Sequence, residues 1–170
     1  MPEWITAFCS MFALLAAAWA AWTAAGVHKI ERDRDIKADE DKLKAQAGEV
    51  AAWSAAHVDS DGSALAYGVV VNNGSTSPIF DVVLEAQDVR GKLRPLNLRL
   101  LPPGEYFVES HKDRSGWALA DHTGALAGFT RPITRKENWC VTLLVFRDAQ
   151  NNLWSRTNAG LLERANQAGI

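Results

Sequence analysis

An uncharged apolar run near the amino terminus constrains this chain more than any other feature. Residues 4–27 (WITAFCSMFALLAAAWAAWTAAGV) contain no charged side chain. At about 1.5 Å of helical rise per residue, the run reaches about 36 Å, which is enough to cross a hydrocarbon layer of about 30 Å. The sequence therefore predicts that residues 1–27 form a transmembrane anchor and that the lipid bilayer is one partner of the chain.

A cleaved secretory signal peptide is the alternative interpretation of this run. Ala18-Trp19-Ala20 imitates the small-x-small pattern that signal peptidase cuts. A signal peptide begins with basic residues, however, whereas this chain has no Lys or Arg before Lys29. The run is also longer than the apolar core of a signal peptide, which has about 7 to 15 residues. We therefore expect the run to be retained as a membrane helix.

The basic residues beside the run predict its orientation, because cytoplasmic flanks carry the excess of Lys and Arg. The amino side has none, and the carboxyl side has four within a short distance: Lys29, Arg32, Arg34 and Lys37. This places the amino terminus outside and the carboxyl-terminal domain in the cytoplasm. An envelope or ligand-binding domain outside the cytoplasm is the alternative.

Residues 28–58 are predicted to form a charged helical connector. Basic and acidic side chains alternate there at helical spacing, as in Asp33 with Lys37, and no Pro interrupts them. Ile36, Leu43 and Val50 recur every seven residues, but the second apolar position of a coiled coil is not filled. A solvated stalk is therefore favoured over a homodimer, and its last turns are apolar enough to dock on the next domain.

Residues 59–165 are predicted to form an antiparallel, immunoglobulin-like β-sandwich, with 166–170 as a tail. Short extended runs alternate with turn signals such as Asn72-Asn73-Gly74-Ser75 and Pro102-Pro103-Gly104. We expect strands at 64–71, 79–89, 93–101, 105–110, 117–120, 139–147 and 153–157, the last two as a hairpin. The predicted core comprises Val69, Val71, Val82, Leu84, Leu98, Leu100, Val141, Leu143, Val145 and Trp154.

Three motifs resemble a known kind of protein. The segments VVVNNGS at 69–75 and PIFDVVL at 78–84, followed by LPPGE at 101–105, are similar to small immunoglobulin-like domains. The ending FRDAQNNLWSR at 146–156 resembles a hairpin of uncharacterised single-pass membrane proteins of high-GC Gram-positive bacteria, with Asn152 assigned to the position of the usual turn glycine. The resemblance implies an anchor, a helix and a sandwich, and it implies no catalytic residue or cofactor.

Composition and motifs favour a non-enzymatic binding module. The net charge of −2 over 170 residues offers no field for nucleic acid. Phosphate-binding glycine loops, a Gly-x-Ser-x-Gly elbow and His-Glu-x-x-His are all absent from the sequence. Cys140 is interpreted as a small buried apolar residue. Asn73-Gly74-Ser75 matches the glycosylation sequon, but we interpret it as a turn and assign no modification. We expect no enzyme activity, cofactor or metal.

The polar segment 111–128 is the predicted contact region for a protein partner, because loops at the end of a sandwich often carry function. The candidate residues are His111, Lys112, Asp113, Arg114, Trp117, Asp121 and His122. A metal-dependent hydrolase that uses His111, Asp113 or His122 is a further alternative, since imidazole beside carboxylate is a common ligand arrangement. Two pairs combine imidazole with carboxylate, namely His111 with Asp113 and His122 with Asp121. Neither pair has the spacing of a zinc motif.

Overall fold

A computed structural model describes residues 44–113 and 115–165 of the chain. The predicted anchor at 1–27, residues 28–43 of the connector, Arg114 and the tail at 166–170 lie outside the described residues. Within the described ranges, no helix is long and apolar enough to cross a bilayer. A short helical segment at 44–48 leads into the first strand.

Two antiparallel sheets form a sandwich-like fold, as the sequence predicts. The first sheet comprises β1 (Val50–Val58), β2 (Ala64–Asn73), β6 (Gly104–Ser110), β7 (Trp117–His122) and β8 (Phe129–Pro132). The second comprises β3 (Ile79–Asp88), β4 (Gly91–Lys92), β5 (Leu96–Leu101), β9 (Cys140–Arg147), β10 (Leu153–Thr157) and β11 (Leu162–Arg164). The first sheet has the order β7-β6-β2-β1-β8, and the second has the order β11-β10-β9-β3-β4 with β5 paired to β3.

The end of the predicted connector is a strand, and the helix prediction over these residues is wrong. Val50–Val58 is β1, which pairs antiparallel with β2 from Val50 opposite Asn73 to Val58 opposite Ala64. Alanine favours helices in isolation, but ladder hydrogen bonds and burial between strands override that preference. Val50, Ala55 and Val58 are buried in the sandwich, so this segment is part of the core of the β fold.

The core agrees with the sequence except along β5 and at Leu143 of β9. Leu98 and Leu143 are only half-buried, and Leu100 is exposed while Leu101 is buried. Along β5 the cause is Asp81, which has a φ of 47° at an irregularity between β3 and β9. A bulge shifts the pleat by one residue. Ile79 and Val82 therefore both face inward, and Leu101, which pairs with Ile79, is buried instead of Leu100.

The segment after β7 forms a strap across the outer face of the first sheet. It begins with a 3₁₀ turn at Thr123–Ala125 and connects β7 and β8, which lie at opposite edges of that sheet. Leu126 packs against the buried cluster of Ala55, Ala66, Val70 and Phe107. Gly128 ends the strap with a φ of +95°, and a Cβ there would lie 2.1 Å from the Val58 carbonyl oxygen, so only glycine allows this approach.

Asn73 joins two turns at one end of the sandwich. Its side chain is buried, and Nδ2 donates to the Ser77 carbonyl at 2.9 Å and to the Leu101 carbonyl at 3.2 Å. Its Oδ1 accepts from the Ser75 hydroxyl at 2.7 Å. The segments VVVNNGS at 69–75 and LPPGE at 101–105 are thus connected by a hydrogen bond. The side-chain amide nitrogen of Asn73, the acceptor atom of the sequon, is hydrogen-bonded within the fold.

Asp148 organises the predicted hairpin of β9 and β10, which the structure confirms. Asp148 is 1% exposed, and its carboxylate accepts from the Asn152 backbone at 2.8 Å, from the Gln150 backbone at 2.9 Å and from the Trp154 indole at 2.8 Å. The positive φ of the turn, 65°, is at Asn151. The assignment of the turn-glycine position to Asn152 is therefore wrong by one residue, since the residue that needs φ above zero is Asn151.

Replacing Asp148 with alanine is expected to destabilise the chain by about 3 kcal/mol, because the buried Trp154 indole and two turn amides lose their acceptor. Urea unfolding of the full-length chain in mild detergent measures the change. Asp121→Ala is the matched control, since Asp121 is exposed on β7 and its loss should cost no more than about 0.5 kcal/mol. Equal stability of the two variants would contradict this role of Asp148.

Candidate binding grooves

The end groove is a cavity of about 500 Å³ at one end of the sandwich. Its walls come from the start of β2, the end of β3 and the end of β6, and from Trp139 just before β9. Tyr67 and Trp139, which belong to opposite sides of the sandwich, meet edge to face with ring centroids 4.9 Å apart. The groove is therefore bounded by both sheets.

Exposed apolar side chains cluster in the end groove. Leu65 is 52% exposed, Tyr67 49% and Val89 61%, and all three line it. Single exposed apolar residues are ordinary, whereas large contiguous apolar patches with a polar rim are typical of interaction sites. The rim here carries charges of both signs, including Glu109 and Lys112.

The side groove is a second cavity, of about 290 Å³, between the two sheets. Residues 51–54 of β1 and Ile133 form one wall, and Val141 and Leu144 of β9 with Arg156 of β10 form the other. Ser54 and Trp139 line both the side groove and the end groove, so the two cavities are neighbours.

One edge of β1 is only partly covered beside the side groove. β8 pairs with residues 55–58 of β1, and one further bond runs from the Ile133 amide to the Ser54 carbonyl at 2.8 Å. Within the described part of the chain, no strand pairs with residues 50–53 along this edge. In a strand, the backbone N–H and C=O groups of successive residues point to opposite edges. The N–H and C=O of Ala52 therefore point to the same edge as those of Ser54.

Two residues that line the side groove each carry a buried side-chain nitrogen without a hydrogen-bond partner. Among the described residues, Trp139 Nε1 and Arg156 Nε are the buried side-chain nitrogens that have no hydrogen-bond partner. The other end of Arg156 is occupied, since Nη2 donates to the Gly48 carbonyl at 3.0 Å and to the Ala47 carbonyl at 3.3 Å. A buried donor without a partner costs free energy, and because both nitrogens are fully buried, they are closed off from the cavity that their residues line.

The structure separates the predicted contact residues into different settings. His111 and Lys112 line the end groove. Trp117 donates its indole N–H to the Arg94 carbonyl at 2.7 Å, which fixes the start of β7. His122 lies at the far end of β7, where its Nδ1 accepts from the Gly124 amide at 3.1 Å and its ring contacts Tyr106.

Asp113 caps its own turn. Its carboxylate accepts from the Ser115 amide at 3.0 Å and from the Ser115 hydroxyl at 2.8 Å. These hydrogen bonds, with a smaller contribution from the charge of His111, hold the pKa of Asp113 below its usual value. The carboxylate is thus ionised and occupied in local structure.

No group of three His, Cys, Asp or Glu side chains within 44–113 and 115–165 is arranged to hold a metal ion. Cys140 is an unpaired, half-buried thiol rather than a fully buried one, and its sulfur accepts from Gln87 Nε2 at 3.4 Å.

Apart from His111 and Lys112, the residues that form the two grooves are not among those that the sequence predicts as a contact region. Tyr67, Val89 and Trp139 were interpreted only as parts of strands. Their apolar character suits a core, and only the meeting of the two sheet ends shows that Leu65, Tyr67 and Val89 remain exposed.

Comparison with known proteins gives no relative, since no protein-family model, curated protein or solved structure matches this chain.

Proposed function

We propose that this chain is a non-enzymatic binding module, held at a membrane by residues 1–27, whose sandwich takes an apolar segment of a protein partner in the end groove. The observation that carries the proposal is the cluster of exposed Leu65, Tyr67 and Val89 around one cavity. An apolar centre with a polar rim is the usual anatomy of a protein interface.

The charges around the end groove support a protein as the occupant. Glu109 and Lys112 place opposite signs on its rim, whereas nucleic acid requires a continuous basic surface. Half-exposed walls make the cavity an open groove that a side chain or turn of a partner can enter from solvent.

The resemblance to single-pass membrane proteins is compatible with this proposal. Asn73 and the pair Asp148 with Trp154, which belong to the resembling motifs, each have a structural role in a turn. Because these motif residues stabilise turns, they explain why proteins with the same motifs share a fold. They do not determine the binding surface, which can differ between such proteins.

Val89→Arg is expected to reduce capture of the partner about tenfold or more, because a charge replaces apolar surface at the groove. The matched control is Leu119→Arg, since Leu119 is 86% exposed on β7 and does not line the groove. Quantitative mass spectrometry of proteins that co-purify with each full-length variant measures the effect. Identical sets of co-purifying proteins for wild type and Val89→Arg would contradict the assignment of the end groove.

The membrane tether and its orientation have a separate test. We expect a fluorescent reporter fused after Ile170 to be active and a phosphatase fused there to be inactive, because the basic flank at 29–37 keeps the carboxyl-terminal domain in the cytoplasm. Phosphatase activity without fluorescence would support the alternative, a domain outside the cytoplasm. Fusion protein that stays in solution after cell lysis and centrifugation would contradict the tether itself.

A further inference from the structure

We propose that the strap, residues 123–128, is a pH-sensitive cover on the outer face of the first sheet, and that protonation of His122 releases its first turn. This role is separate from the proposed function, because no residue of the strap lines the end groove. His122, a predicted contact residue, then acts as a switch within the fold.

The strap covers apolar side chains of the first sheet. Ala55, Ala66, Val70 and Phe107 form a buried cluster, and Leu126 of the strap packs against it. Val70 and Phe107 lie opposite each other in the ladder between β2 and β6, so their side chains share one face of the sheet. Movement of Leu126 away from this face exposes the cluster to water.

Two histidines hold the strap, one at each end. At its start, His122 is the N-cap of the 3₁₀ turn, and its Nδ1 accepts from the Gly124 amide at 3.1 Å. At its end, His57 Nε2 lies 2.6 Å from the Ala127 carbonyl oxygen. A carbonyl oxygen can only accept, so His57 is the donor in this second contact.

The two contacts respond differently to a proton. A backbone amide can only donate, so His122 Nδ1 carries no hydrogen while it accepts from Gly124. A protonated His122 has a hydrogen on Nδ1 and loses this contact, whereas a protonated His57 still donates from Nε2. Acidification therefore releases the start of the strap and leaves its end attached.

The setting of His122 allows this change of charge. Its side chain is exposed, so protons reach it from solvent. Its ring contacts the Tyr106 ring at a centroid distance of 5.4 Å. On another side it lies against Gly104, where a Cβ would be 3.0 Å from Nε2. The ring is thus held in place by neutral neighbours.

The ionised side chains of the elements around His122 point elsewhere. Glu105 and Asp121 adjoin the Tyr106 and His122 pair in sequence, and strand alternation places them on the other face of the sheet. Glu109 lies toward the opposite end of β6, where it pairs with Gly68. The 3₁₀ turn, Thr123–Ala125, contains no charged residue.

The test measures the strap in the full-length chain in mild detergent at about pH 8 and about pH 5, the range over which histidine usually changes charge. The Leu126 amide, which donates to the Thr123 carbonyl at 3.3 Å, reports the turn through its hydrogen-exchange protection factor. NMR cross-relaxation between the Leu126 methyl groups and the cluster reports the cover. We expect protection of the Leu126 amide to fall about fivefold at the lower pH, with weaker cross-relaxation.

His122→Asn is the decisive variant, because asparagine at an N-cap accepts from the turn through its side-chain oxygen and does not titrate. We expect it to keep the Leu126 amide protected at both pH values. His122→Ala removes the acceptor, and should show at about pH 8 the low protection that wild type shows at about pH 5. A pH response that persists in His122→Asn would overturn the inference.

His57→Gln is the matched control at the other end of the strap. Glutamine donates from Nε2 at any pH, so we expect this variant to keep the release at low pH. Loss of the response in His57→Gln together with its persistence in His122→Asn would assign the switch to the wrong histidine and overturn the inference. Equal protection of the Leu126 amide at the two pH values in wild type would overturn it as well. Val89→Arg, which alters the end groove, should leave the response unchanged, so the proposed function is tested separately.

Discussion

The antiparallel ladder between β1 and β2 is the interaction on which the rest of the structure depends. It runs the length of β1 and fixes which of its residues face the second sheet. Because β1 is nine residues long and β8 only four, no strand of the described residues pairs with 50–53 along the edge of β1 that faces away from β2. The side groove beside it, and the position of Ser54 between the two grooves, follow from this difference in length.

The first sheet also needs cover on its outer face, and the strap provides it. Val70 and Phe107 would otherwise expose apolar surface to water. Leu126 covers them, and the contact of 2.6 Å between His57 Nε2 and the Ala127 carbonyl holds the strap over β1. Residues 111–128 are mostly polar in sequence, but in the structure they include β7 and the strap that connects opposite edges of the first sheet.

Much of the fold could be predicted because several segments carry local signals. The β9 and β10 hairpin has an apolar strand, a polar turn and a returning strand, and β9 is internal in its sheet as its two apolar faces indicate. β1 could not be found in this way. Its sequence, VAAWSAAHV, has neither clear alternation nor a preference against helix, and only pairing with β2 makes it a strand.

The grooves were less predictable than the fold, for a geometric reason. A cavity between sheets is formed by residues far apart in sequence, such as Tyr67 with Trp139 and Ser54 with Arg156. The local sequence around each of these residues is that of an ordinary strand and does not predict a cavity. His111 and Lys112 lie at the end groove as polar loop residues, but the apolar residues that distinguish the groove come from strand ends whose exposure depends on the packed sheets.

Residue-resolved hydrogen exchange along β1 tests the account most directly. In the full-length chain without a partner, the Ala51 and Trp53 amides face β2 and should exchange slowly, whereas the Ala52 amide faces the uncovered edge and should exchange quickly. This alternation identifies a strand with one open side. Uniformly slow exchange from Val50 to Trp53, as in a helix or a covered strand, would contradict the account.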